Sequence, residues 1–258
     1  MKRFLVPAIF LVLILPVISL GCSANPEPQE TIPFGYTDFT NVQVGGAFEV
    51  EVAPSNLYSV VVTAPENFLK RVKIEQSGNT LKINADWGGL FWSWGTHSQP
   101  QVKIAMPVLA VLDLSGACKA SIIGFNSDQD FKLVLSGAST ADLDLEAFDS
   151  SLSVTGASRV TGNLKGHDAR LNISGASRAQ LSGSGNNLNV QASGASTADL
   201  AALTSNDVRV DLSGASKARV LPNGKLDVFL SGASRLDYGG GAKLGTVEIS
   251  GGSTINRL

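Results

Sequence analysis

The chain has 258 residues, 43% of them hydrophobic, 16% charged and 27 glycine. That composition can bury a sizeable core and excludes a disordered charged tail. A formal net charge of −2 supplies no basic footprint, so no nucleic-acid partner is expected. There are two cysteines, Cys22 and Cys118. They fit no zinc spacing, and neither a disulfide, a metal site nor a cofactor is expected.

Residues 1–22 read as an export signal. Lys2 and Arg3 precede an uncharged run from Phe4 to Leu20, followed by Gly21 and Cys22. A basic start, an apolar stretch and a small residue before the cleavage point describe a secretory signal. Ser19-Leu20-Gly21-Cys22 resembles the lipobox of bacterial lipoproteins, although that pattern prefers Leu where Ser19 stands. The resemblance implies lipidation of Cys22 and a membrane anchor. Ordinary cleavage of the signal is the alternative. Residues 23–35, with Pro26, Pro28 and Pro33, then form a flexible tether.

Residues 36–110 read as irregular strands, as in Phe48–Val52 and Leu81–Ile83, split by Pro54, Pro65 and Gly78. We expect them to form the N-terminal coils that close one end of a rod. The stretch from Ala85 to His97 holds all three tryptophans, Trp87, Trp92 and Trp94, together with His97. It is Gly-rich and lies between two strands, so it is a loop. Its aromatic faces could stack on sugars or enter a partner's pocket, or simply pack on the rod.

From 111 to 258 one repeat dominates. Ser-Gly-Ala-Ser or a near variant begins at residues 115, 136, 155, 174, 193, 213, 231 and 250, spaced 18 to 21 apart. A degenerate copy stands at Gly45-Gly46-Ala47. One and three residues before each motif the side chain is apolar (Leu112/Leu114, Leu152/Val154, Val210/Leu212), and the residue between is usually polar. This is period two, a strand with one face inward. Alternation resumes after the motif, as in Ala179/Leu181. Each repeat is therefore strand, Gly bend, strand and polar turn. One such unit cannot bury its own apolar face, but stacked copies can, at about 4.8 Å per coil. The fold class is all-β: a right-handed, single-stranded parallel β-helix, or β-solenoid, with coils of about 19–20 residues. The motif Gly fits a bend and the motif Ala an inward corner position. The stacked Ser hydroxyls are expected to form a ladder along the rod.

The repeat Leu-x-Leu-Ser-Gly-Ala-Ser-x-Ala-x-Leu, the opening Val42–Val50, the stretch Asn79–Ile83 and the lead-in Ile104-x-Met106-Pro107 resemble a bacterial family labelled "putative auto-transporter adhesin, head GIN domain". The resemblance covers roughly Phe39 to Leu258. It implies a β-helix on a bacterial envelope and carries over no catalytic residue.

Three further features bear on function. Four residues after each motif start lies an outward column, Lys119, Thr140, Arg159, Arg178, Thr197, Lys217, Arg235 and Thr254. It makes a basic stripe, partly neutralised by Asp142, Asp199 and Asp237. The stripe could meet anionic polysaccharide or head groups, or be a solvated face that limits aggregation. The last coil leaves an exposed edge for a second copy unless Asn256, Arg257 and Leu258 fold over it. Finally, catalysis is not expected. Asp142, Asp144 and Glu146 have no facing acidic set, adjacent His167 and Asp168 should point apart, and no P-loop or Gly-x-Ser-x-Gly elbow occurs. The expected role is an envelope lipoprotein presenting a rigid surface to carbohydrate, to an envelope protein or to another copy. A polysaccharide lyase or hydrolase and a purely structural envelope protein are the rivals.

Overall fold

The computed structural model describes residues 28–86 and 99–258. Cys22 and the tryptophan loop, with Trp87, Trp92, Trp94 and His97, lie outside the described residues.

The described chain is a β-solenoid of two facing sheets, one of twelve strands and one of eleven. We call them the front and back sheets. The strands before each motif form the back sheet and those after it the front sheet. Strand alternation sets both. Leu112, Leu133, Leu152, Leu171, Val190, Val210 and Val228 stand in one register column of the back sheet, each fully buried. Ala120, Ala141, Val160, Ala179, Ala198 and Ala218 form the facing column of the front sheet and are buried too. Covering one Leu or Val side chain stabilises the fold by about 1.5–3 kcal/mol, and each coil repeats the gain.

The motif makes the corner between the sheets. Its Gly sits at positive φ in every repeat, from +67° at Gly251 to +89° at Gly116, a region costly for any residue with a Cβ. The next residue donates its N–H to the glycine carbonyl of the coil before, as in Ala157 N to Gly137 O at 2.8 Å.

Two expectations about this corner are corrected. The motif Ala points outward and is exposed, because the left-handed glycine breaks the in-out alternation. The fourth residue turns inward instead: Ser139, Ser158, Ser177, Ser196, Ser216 and Ser234 are at most 2% exposed. Nor do these hydroxyls mainly bond one another. Ser196 and Ser216 Oγ donate to the carbonyls of Ser193 and Ser213, both at 2.8 Å. Ser216 also reaches the carbonyl of Ala192 at 3.2 Å, one coil before. At Ser196, Ser216 and Ser234 the buried hydroxyl thus closes its own turn and ties it to its neighbour. Cys118 takes this place in the first regular coil, its thiol 3.4 Å from the Ser115 carbonyl and pushed up in pKa by burial.

At the N-terminal end spatial order departs from chain order. Asn41–Gly46 and Glu49–Pro54 form a coil directly beneath Val111–Gly116 and Lys119–Asn126. The coil Thr80–Ala85 and Gln101–Met106 follows in sequence but lies beneath the first. Antiparallel strands then close this end: Ser59–Pro65 against Gln101–Met106, Gln29–Phe34 against Ser59–Pro65, and Val72–Ser77 against Thr80–Ala85. Phe68, on a one-turn helix, packs edge-on to Phe48 with centroids 5.8 Å apart.

The C-terminal end is built differently. Lys243–Ile249 and Thr254–Arg257 are the outermost strands of their sheets. The last residues do not fold over that edge. Leu258 N bonds to Tyr238 O at 2.8 Å, continuing the ladder, and Leu258 remains 67% exposed.

Candidate binding surface

On the front sheet the basic stripe is in strict register: Lys119, Thr140, Arg159, Arg178, Thr197, Lys217, Arg235 and Thr254 are successive Cα partners. Its ends are neutralised. Lys119 lies 3.9 Å from Glu49, and Arg235 grips Asp237 at 3.0 Å. Arg235 holds the Asp237 carboxyl below the usual carboxylate range. Asp199 is engaged by Arg219 of the adjoining column at 3.7 Å. Arg159, Arg178 and Lys217 remain with no ion pair among the described residues, Arg159 and Arg178 stacked one coil apart. Asp142 and Asp144 accept hydrogen bonds from Thr161 and Asn163 of the next coil, at 3.1 and 3.0 Å.

The back sheet carries a longer feature. A shallow groove of about 800 Å³ runs along it from Val111 to Asp227. One wall is a column of carboxylates at the start of successive strands: Asp130, Asp149, Asp168 and, two coils on, Asp207. Each holds the backbone of the following coil. Asp149 N bonds to Asp130 Oδ1 at 3.3 Å, Asp168 N to Asp149 Oδ1 at 3.1 Å and Lys225 N to Asp207 Oδ1 at 2.7 Å. The other wall is the column Lys132, Ser151, Arg170, Asn189, Arg209. Its cations fall on alternate coils, about 9.6 Å apart at the spacing of paired strands. None of the three makes an ion pair among the described residues. Arg209 lies 3.9 Å over the Phe229 ring, which restrains it.

This acidic column was not singled out in the sequence, although its members recur at the repeat period. The structure also corrects the reading of His167. His167 Nδ1 lies 3.3 Å from both Asp149 Oδ1 and Asp168 Oδ1, so His167 and Asp168 converge rather than diverge. The ring stacks on Phe148 with centroids 5.4 Å apart. Among the described residues this is the one donor set that could hold a metal ion. Its Oδ1 atoms already accept backbone N–H groups, and its side chains are half exposed. The arrangement is accounted for as a rung between coils.

A sequence model of the family described as "Putative auto-transporter adhesin, head GIN domain" matches residues 38–242. The chain belongs to this family. The head GIN chain is similar in fold to a crystal structure described as a "putative lipid binding protein" from Parabacteroides distasonis. The two are 16% identical with a TM-score of 0.78, over 91% of this chain and 98% of that one. A "putative adhesin" from Parabacteroides merdae is 17% identical with a TM-score of 0.78, over 91% and 97% of the two chains. A second from P. distasonis is 17% identical with a TM-score of 0.73, over 90% and 98%. No curated protein matches the head GIN chain significantly. At these identities the shared property is the solenoid.

Proposed function

We propose that this head GIN protein is an exported, lipid-anchored envelope protein whose solenoid binds a linear glycan along its side. Cys22 is the lipid attachment point, and the tether is shorter than the sequence suggested, ending where the strand Gln29–Phe34 pairs with Ser59–Pro65. The reading fits the adhesin description of the family and of several fold relatives; the lipid-binding description of another is the competing ligand class.

The observation that carries it is the back-sheet groove. Its carboxylates keep one oxygen on backbone N–H groups and leave the second to accept sugar hydroxyls. The facing Lys132, Arg170, Asn189 and Arg209 donate. Groups fixed in this way lose little freedom on binding. A donor line and an acceptor line repeating along an axis suit a ligand that repeats along its own, and two coils match about one disaccharide unit. The Arg159–Arg178 pair, on the opposite sheet, would offer a separate point of charge contact, and the aromatic faces of the tryptophan loop would offer stacking.

The test is calorimetric titration of the full protein with neutral and acidic linear oligosaccharides and with lipid vesicles. The expected result is saturable oligosaccharide binding. Arg170→Glu should weaken it at least about tenfold, and Trp92→Ala with Trp94→Ala should weaken it with circular dichroism unchanged. Binding to vesicles alone overturns the glycan reading. Binding to nothing makes the protein purely structural, and turnover on the same panel makes it an enzyme. Cys22→Ser should release the protein from the membrane fraction; retention there overturns the anchor.

A further inference from the structure

The terminal coil at the C-terminal end is both apolar and unpaired. Leu244, Val247, Ile249 and Leu258 are 49%, 41%, 43% and 67% exposed, although the residues beneath the first three, Leu226, Val228 and Leu230, are core. The strand Lys243–Ile249 has a partner on one side only. Lys243 N and Ser250 N bond to the coil beneath. Strand alternation therefore turns the backbone N–H and C=O of Leu244, Val247 and Ile249 away from it, into open space. An open edge of this kind is a template for another strand.

The side chains select the strand. When Lys243–Ile249 is laid antiparallel on a second copy of itself, one register places Leu244 opposite Val247 of the second copy. Both point into the core, and both offer outward backbone groups, as a hydrogen-bonded antiparallel pair requires. The same register sets Lys243 opposite Glu248 of the second copy, both on the solvent face. Neither Lys243 nor Glu248 makes an ion pair among the described residues. Gly245 and Thr246, where the strand bulges against Lys225–Leu230, then lie opposite each other at the two-fold axis. Apolar match, backbone direction and charge all agree in one register.

We propose that two copies associate end to end through this coil, related by a two-fold axis, so that both sheets run on across the junction. Such an interface is self-complementary and closes at two. It does not depend on the glycan reading, since the groove lies on the side of the rod.

The experiment is sedimentation equilibrium of the full chain in density-matched detergent, on the native protein and two variants. The native protein should be a dimer. Lys243→Glu places two carboxylates in each facing pair and should raise the dissociation constant about tenfold. Adding Glu248→Lys to it should restore the dimer. A native monomer overturns the proposal, and filaments growing with concentration overturn it in favour of head-to-tail stacking. A dimer indifferent to Lys243→Glu, or one that the double exchange fails to restore, overturns the register and with it the interface.

Discussion

Gly175 rests directly on Gly156: a Cβ at 175 would lie 2.5 Å from the Gly156 carbonyl oxygen. The same contact repeats up the corner, at 2.4 Å between Gly137 and Gly116 and at 2.6 Å between Gly232 and Gly214. Positive φ and close backbone approach coincide at one atom. Gly175→Ala should therefore cost at least about 1–3 kcal/mol from backbone strain alone, before the clash. Thermal unfolding should show a lowered midpoint, whereas Ala176→Ser, at the exposed neighbour, should leave it nearly unchanged.

The buried serines separate into two kinds. Ser216 Oγ holds two carbonyls, while Ser158 Oγ has no partner among the described residues. Ser216→Ala should cost about 1 kcal/mol, and Ser158→Ala should be neutral or slightly stabilising. Ser216→Cys should be tolerated, since Cys118 already fills the equivalent place. Denaturant midpoints of the three variants test this.

Two carboxylates hold the last coil to the one beneath. Asp227 Oδ1 accepts Thr246 N at 2.7 Å, and Asp237 Oδ1 accepts Asn256 Nδ2 at 3.0 Å. Both carboxyls sit below their ordinary pKa, Asp227 chiefly through Lys225 and Asp237 chiefly through Arg235. Lys225 and Arg235 stay in place when the last coil opens, but the hydrogen bonds from Thr246 and Asn256, which also lower these carboxyls, are lost, so the opened state binds protons more readily. The stabilisation is complete above the ordinary aspartate range and is lost as pH falls through the lowered values. Hydrogen exchange at 243–258 should accelerate at acid pH before that of the coils at 149–186. Equal onset would refute the assignment.

Asp207 offers a test of the groove's acidic wall as a structural element. Its Oδ1 accepts Lys225 N at 2.7 Å, so Asp207→Ala should expose that amide to exchange, and Asp207→Asn should largely preserve it. Protection of Lys225 that survives Asp207→Ala would show that the carboxylate is dispensable.

The solenoid was legible because its information is redundant. Leu112 and Leu114 recur as Leu133 and Leu135, then as Leu152 and Val154, and period-two alternation permits only one inward face. The corner was misread because alternation fails where Gly156 takes positive φ, which exchanges the roles of Ala157 and Ser158. His167 was misread because its neighbours belong to different coils. Asp149 precedes it by one turn of the rod, and the bend at the turn brings Asp168 back onto the same ring nitrogen. Adjacency along a chain governs direction in a strand but not at a bend. The basic stripe was read correctly as a column, yet its pairing with Glu49 and Arg219's hold on Asp199 depend on side-chain reach, which spacing alone does not give.

The inverted stacking at the N-terminal end has a kinetic consequence. The coil from Asn41 to Pro54 is sandwiched between two coils made later in the chain. It cannot be completed as it is made, but must wait for roughly seventy further residues. Those long-range closures carry the slow entropic step. Once they are made, every later coil needs only its immediate predecessor, and growth should proceed like a zipper from an assembled seed.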